Sequence, residues 1–444
     1  MVSIFKAPKK AKKLVKLKTL TLMVDGLDHE GHGVCTENQP VVFVPKTLPG
    51  EKIRASVSIT NKRFWQGKLM DVIEPSPERI TPKCHYYEQC GGCQVQHASA
   101  DYMLEAKQKA VDSMLQKQLG MNPLPWQQPL TSKAWSYRRK ARLAVNAQDD
   151  SHLKLGFRGE ETNDIVDISH CAVLEPKLNE LVQDIKLLIK KLKVRRYIGH
   201  ISLLQGDNVT QVTFRITKDV EKNDRNLLAG FADRANIKLV LELHKGTFEA
   251  VSQSNDDVFI SPVDGLKLNC EPNDFLQVNA DVNRKMVQQA IQWLALNDND
   301  KVADLFCGIG NFSLPLAKVC QQVVGLEGVT DMVQRATNNA QLNGIENADF
   351  DCVDLSQDDS LAHKSLSGYS VMLLDPARAG AMSVAQQLST KQWKKILYVS
   401  CNPSTFARDA KVMQSKGFKL TKIGLLDMFP QTSHVELMAL FSGN

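Results

Sequence analysis

The sequence predicts a multidomain protein with three folded parts: an N-terminal β-barrel of the oligonucleotide-binding (OB-like) type, a central α+β region, and a C-terminal α/β domain built on a mostly parallel, Rossmann-like sheet. Three observations carry this. Short alternating strands separated by turn residues fill 18–75. Strand and helix patterns mix through 76–270, with a tight group of cysteines at the start. From about 271 strands and helices alternate regularly, as in a sheet wound by crossover helices. The parts are therefore drawn as a basic arm at 1–17, then 18–75, 76–270 and 271–444.

The 444 residues hold 55 basic and 49 acidic side chains, a net charge of only +6. Seven lysines fall within the first eighteen residues (Lys6, Lys9, Lys10, Lys12, Lys13, Lys16 and Lys18), so the excess is concentrated in the arm. Such an arm suits a polyanion such as nucleic acid, although it also reads as a solvated tail. No apolar run of eighteen residues occurs, and the lysines are not followed by an apolar segment, so neither a membrane span nor a signal peptide is expected. The expected location is cytoplasmic and reducing, where the ten cysteines are thiols or metal ligands rather than a disulfide framework.

In the barrel region, 18–27 alternates as a strand, 29–33 turns, 42–44 is a strand, L-P-G-E turns, and 53–59 and 67–73 follow as strands. Lys62, Arg63, Phe64 and Trp65 set basic and aromatic side chains together, as contact with an RNA strand requires; a purely structural barrel is the plainer reading.

Next comes K-C-H-Y-Y-E-Q-C-G-G-C. Cys84, Cys90 and Cys93 are spaced x5 and x2 around two glycines, and Cys171 in D-I-S-H-C-A-V is the best unassigned fourth ligand. Four thiolates suit zinc or an iron–sulfur cluster, and this spacing leans toward [4Fe–4S]. His85 and His170 are weaker alternatives. Cys35, Cys270, Cys320 and Cys352 read as small buried apolar residues, and Cys307 as packed in a glycine turn. Residues 101–120 form an amphipathic helix. The strand pattern at 136–145 crowds Arg138, Arg139, Lys140 and Arg142 onto a candidate phosphate-contacting edge or a solvated face. Strands at 153–157, 165–168, 201–204, 209–216 and 239–243 and a helix at 178–192 complete the region. Lys190, Lys191, Lys193, Arg195 and Arg196 make a second basic group.

Residues 302–327, V-A-D-L-F-C-G-I-G-N-F-S-L-P-L-A-K-V-C-Q-Q-V-V-G-L-E, organise the last part. A buried strand at 302–306 leads into Gly308 and Gly310, which allow a tight turn and close backbone approach. A helix starts at 312–317, and a strand at 323–326 ends in Glu327. Glycines under the ligand and an acid about twenty residues on describe a ribose-binding βαβ site. The third dinucleotide glycine is missing, and 311–313 offers no Lys-Ser/Thr for a triphosphate, so an adenosyl ligand without phosphates fits better. Helices at 282–294, 329–342 and 382–393 alternate with strands at 349–353, 371–374 and 396–400; strands at 419–425 and 435–441 close the sheet. Glu327, Asp354, Asp375 and Cys401 all fall at strand ends, where ligand and chemistry lie in such sheets. Cys401 in Y-V-S-C-N-P-S-T is a candidate nucleophile, with packing as the alternative. Asp375 in D-P-A-R can accept a hydrogen bond from a planar base, or serve only a turn. His434 and Glu436 in Q-T-S-H-V-E are candidate bases.

Together, D-L-F-C-G-I-G-N-F, F-L-Q-V-N (275–279), L-D-P-A-R-A-G, V-S-C-N-P and F-P-Q-T-S-H-V-E resemble the RNA 5-methyluridine methyltransferases over essentially residues 15–444. The barrel resembles the TRAM domain of the family's bacterial 23S rRNA branch, and C-x5-C-G-G-C with Cys171 resembles that branch's [4Fe–4S] site. The resemblance implies a class I, S-adenosyl-L-methionine-dependent enzyme that methylates C5 of a uridine in 23S rRNA. It implies Cys401 as nucleophile and Glu436 as general base, with Gln277, Phe306, Asn311, Glu327, Asp354 and Asp375 lining the S-adenosyl-L-methionine and uracil pocket. Cys84, Cys90, Cys93 and Cys171 would hold a structural cluster. Ala377 stands where the family commonly has a second proline. A tRNA-modifying relative is the nearest rival, but the bacterial tRNA enzymes lack both barrel and cysteine site. A non-catalytic RNA-binding protein is the rival from another class, disfavoured by the intact surroundings of Cys401 and Glu436. One chain contains a whole site, so a monomer without an obligate protein partner is expected.

Overall fold

The computed structural model describes residues 16–59, 62–148, 153–244, 246–251, 256–362 and 366–443. All but the last two residues of the basic arm lie outside them. The chain divides into two compact units, one reaching to Thr81 and including His97–Ala110, the other comprising Pro82–Gln96 and the chain from Val111 onward.

The first unit holds a six-stranded sheet, ordered Lys16–Met23, Lys52–Ile59, Phe64–Glu74, Val41–Val44, Gly33–Cys35, Gly26–Leu27. Strand alternation sends Leu22, Val42, Val44, Ile53, Ala55 and Val57 into one core. Trp65 packs against that core, whereas Phe64 is exposed and meets Phe43 edge-on at 5.8 Å. Of the aromatic pair considered for RNA, Phe64 is the exposed one.

The second unit carries two seven-stranded sheets. The central one runs Thr247–Ala250, Lys238–His244, Thr210–Ile216, Ile198–Gln205, Lys140–Asn146, Lys154–Arg158, Ile165–Asp167. Helices Pro176–Lys191 and Lys222–Ala235 bury Leu178, Ile185, Ile189, Leu228 and Phe231 in the core of this sheet. The basic group at 190–196 begins at the exposed last turn of the first helix, where cations complement the dipole.

The basic edge expected at 138–142 does not form. The strand starts at Lys140, not at 136. Arg139 is buried, with its guanidinium on Asp207 and on the Gln205 carbonyl at 2.9 Å, and Lys140 Nζ donates to the Asp274 carbonyl. Both are spent joining the central sheet to its neighbours; Arg142 alone of the four is exposed.

The C-terminal sheet is ordered Ala348–Cys352, Gln322–Glu327, Lys301–Leu305, Val371–Leu374, Lys395–Ser400, Glu436–Ser442, Lys419–Leu426. All neighbours are parallel except Glu436–Ser442, which is antiparallel to both of its partners. Its winding reverses between Lys301–Leu305 and Val371–Leu374, the crevice where such sheets bind ligands. Helix Ala280–Leu294 packs Val282, Met286, Val287 and Ala290 into the core on an Asn279 N-cap that accepts from Val282 N–H. The helix expected over 382–393 stops at Gln387, because Leu388 is extended and the Ser389 side chain accepts from Lys391 N–H. Cys35, Cys270 and Cys320 are buried as expected; Cys352 is exposed.

Candidate active site

The glycine turn is built against strain. Phe306 takes φ +65°, a left-handed conformation a phenylalanine avoids, and its N–H and that of Cys307 donate to the Leu326 carbonyl at 2.8 and 3.2 Å. Gly308 and Gly310 follow at φ +57° and +95°. Glu327, at its own strand end, accepts from Gly308 N–H at 3.2 Å and from Val329 N–H at 3.1 Å, one per carboxylate oxygen. The turn and the acid thus fix each other, and each oxygen keeps a lone pair for a hydroxyl donor. Asn311 is held by a reciprocal amide pair with Asn283, at 2.9 and 3.0 Å.

The chemical edge lies two strands away. Lys395–Ser400 ends at Cys401; Asn402 caps the next helix, accepting from Ser404 and Thr405 N–H, and Pro403 fills its first position. Cys401 is thereby fixed between a strand and a helix N-terminus, a place that favours an anion. Antiparallel pairing sets Ser400 opposite Leu437, so Cys401 and Glu436 each follow the last pair of the ladder by one residue. Asp375 ends the adjoining strand Val371–Leu374.

One cavity of about 480 Å³ joins these parts; Gln277, Phe306, Asn311, Glu327, Asp375, Cys401 and Glu436 all line it. Asp354 does not: it is exposed, and its carboxylate is used locally by Ser356 N–H and Oγ at 3.0 and 2.6 Å and by Gln357 Nε2 at 2.7 Å. Its strand stands at the sheet's edge, and its side chain closes an Asx turn instead. Phe275, Phe429, Arg378 and His434 line the cavity too, with Arg378 Nη2 3.1 Å from His434 Nδ1. Asn283 was not singled out in the sequence, though a buried asparagine on an apolar helix face is a readable signal.

Burial pushes the Glu436 carboxyl up to about 8, with the nearby Asp375 adding to it. Burial alone pushes Asp375 up to about 7. The Cys401 thiol is raised by burial, then by Glu436 and Asp375, while Arg378 pulls the other way. Glu436 Oε2 and Gln277 Oε1 are buried acceptors without a hydrogen-bond partner. Three acids and two open acceptors suit a cationic sulfonium and a ring with N–H donors, so the residues present fit S-adenosyl-L-methionine and a uracil.

At the cysteine site, Gly91 N–H donates to the Arg158 carbonyl at 3.0 Å, and a Cβ on Gly92 would sit 3.4 Å from Cys90 Sγ. A Cβ on Gly91 would meet the Arg158 and Gly159 carbonyls at 3.3 Å, so this glycine permits the close approach of the two backbones. Burial is the main cause that raises Cys90, Cys93 and Cys171; Cys93 is raised further by Cys171, Cys90 and Cys84, and Cys171 by Cys84 and Cys90. Yet among the described residues no three of these sulfurs lie within 4.8 Å of one another. A tetrahedral zinc would hold them roughly 3.8 Å apart. No three of the described sulfurs are therefore drawn in as tightly as one tetrahedral ion would draw them. His85 and His170 pack their rings against Tyr86 at 5.5 and 5.6 Å.

Residues 99–443 match the family model described as tRNA (uracil-5-)-methyltransferase. The chain is 42% identical to the 23S rRNA (uracil(1939)-C(5))-methyltransferase RlmD of Shewanella amazonensis, over 99% of each chain. It is 40% identical to the protein of the same name from Vibrio cholerae, over 98% of each. Among solved structures, the tRNA (uracil-54, C5)-methyltransferase of Pyrococcus abyssi, in complex with S-adenosyl-L-homocysteine, shares the fold with a TM-score of 0.73 and 24% identity, covering 95% of this chain and 99% of that one. By these matches the chain belongs to the RNA (uracil-5-)-methyltransferase family.

Proposed function

We propose that this enzyme methylates C5 of one uridine in 23S rRNA, the equivalent of the uracil 1939 for which its relatives are named. The observation that carries the reading is the joining of Cys401, Glu436 and Asp375 to the Gly308–Glu327 turn by a single cavity. Uracil C5 is a poor nucleophile. Cys401 adds through its sulfur to C6, which pushes the ring electrons toward C5. S-adenosyl-L-methionine supplies the electrophilic methyl group. Glu436 then takes the C5 proton, the C5–C6 double bond re-forms, and the C6–S bond breaks to free Cys401. Asp375 accepts the uracil N3–H and orients the ring. Gln277, Phe306, Asn311 and Glu327 hold the methyl donor. The target base leaves its stack to enter the cavity.

The TRAM domain at 18–75 and the central domain at 76–270 hold RNA, and the methyltransferase domain spans 271–444. Cys84, Cys90, Cys93 and Cys171 hold the [4Fe–4S] cluster, which is structural. No described helix is long and apolar enough to cross a membrane, and the reading places the enzyme in the cytoplasm as a monomer. The test is methyl transfer from labelled S-adenosyl-L-methionine to 23S rRNA and to tRNA, followed by mapping. One 5-methyluridine in 23S rRNA is expected; label in tRNA alone would reject the assignment.

A further inference from the structure

We propose that Gln94 is a positioning residue for Glu436, so that the segment bearing Cys90 and Cys93 holds the catalytic base in register. This rests on the reading of Glu436 as the base. The loop before Glu436 is gripped at successive residues. Tyr137 Oη donates to the Pro430 carbonyl at 2.9 Å. Gln94 and Val95 N–H both donate to the Gln431 carbonyl, at 3.0 and 3.2 Å. Gln94 Oε1 accepts from Ser433 N–H at 3.2 Å.

Gln94 is itself anchored on the cysteine side. Its Nε2 donates to the Gly91 carbonyl at 2.7 Å, and Tyr87 Oη donates to its own carbonyl at 2.6 Å. One side chain therefore bridges the C-G-G-C turn to a loop three residues short of the base. The loop needs the restraint. Gln431 holds φ +71°, a left-handed conformation unfavourable for glutamine, and is buried. Glu436 Oε2 is buried without a partner, so no hydrogen bond of its own fixes that oxygen. Its aim comes from the strand behind it and the loop before it.

The step that needs this aim is the last one. Cys401 addition depends on a different strand end. Removal of the C5 proton by Glu436, with return of the electron pair to the C5–C6 bond and departure of the sulfur, depends on the loop. Loss of the Gln94 bridge is thus expected to slow release while sparing methyl transfer.

The test uses the full-length, cluster-loaded protein with 23S rRNA. Q94A is expected to keep its iron content and its single-turnover methyl-transfer rate. Its kcat should fall about tenfold with KM within about twofold, and a covalent protein–RNA band should build up on denaturing gels. Q94E keeps the acceptor for Ser433 N–H but loses the donor to the Gly91 carbonyl, so its release rate should fall between those of Q94A and the wild type. E436Q run alongside reports on the base itself: a band for E436Q with none for Q94A, at wild-type release rate, rejects the bridge and leaves the base standing. Iron lost from Q94A in step with activity, with no covalent band, also overturns the proposal. No band for E436Q removes the base and the bridge together.

Discussion

Cys401 and Glu436 each lie one residue beyond Ser400 and Leu437, the last pair of an antiparallel ladder. A nucleophile and a base that act on adjacent ring atoms must be neighbours in space, though they are far apart in the chain. Strand Glu436–Ser442, antiparallel to both of its neighbours, supplies that neighbourhood, and the sheet order places Glu436 with Cys401 and Asp375 in one cavity.

Cys401→Ala should lower methylation by about a thousandfold or more, because Cys307, which also lines the cavity, is buried in the glycine turn and does not end the strand beside Asp375. Affinity for S-adenosyl-L-homocysteine, measured by calorimetry, should stay within about twofold. Near-normal turnover by this variant would remove the nucleophile from the account.

Glu327→Ala should weaken S-adenosyl-L-homocysteine binding by about 10- to 100-fold, the cost of losing a charged acceptor. The change also frees Gly308 and Val329 N–H, so the turn itself loosens. Binding of RNA in the absence of the methyl donor, followed by gel shift, should be unchanged.

The buried acids make stability depend on pH. Glu436 holds its proton up to about 8 when folded, against an ordinary value of 4.5. Its contribution is fully present below the ordinary value and is lost as pH rises through about 8. Asp375, raised from 3.8 to about 7, behaves likewise at slightly lower pH. The Tm of ligand-free enzyme should therefore fall as pH rises from about 4 to about 8. E436Q should flatten the upper part of that fall, and D375N the lower. A parallel decline in all three proteins would show that these carboxyls do not titrate as buried groups.

Cys93→Ser should strip iron from the protein purified without air. The wild type should carry about four irons and four sulfides per chain, and no stoichiometric zinc. One zinc per chain would reverse the reading of the sulfur spacing.

Much of this was legible in the sequence because strand ends are legible. Apolar runs locate the strands, and the residue that follows each run, Glu327, Asp375 or Cys401, falls at the ligand edge by that rule alone. Asp354 satisfied the same rule and still missed the cavity, since a short local turn claimed its carboxylate. Arg139 and Lys140 read as surface charge because nothing local announces their partners, Asp207 and the Asp274 carbonyl, which lie over sixty residues away. The Asn283–Asn311 pair and the Gln94–Ser433 bond escaped for the same reason: each joins two segments that only the folded chain brings together.

The central claim is a covalent bond between Cys401 and the target uracil, and the most direct measurement replaces the C5 hydrogen with fluorine. Glu436 cannot remove fluorine as a proton, so 23S rRNA carrying 5-fluorouridine should trap the enzyme. Digestion and mass spectrometry should find a methylated fluorouridine attached to the peptide containing Cys401. An adduct on any other residue, or none despite methyl transfer to natural RNA, would contradict the account.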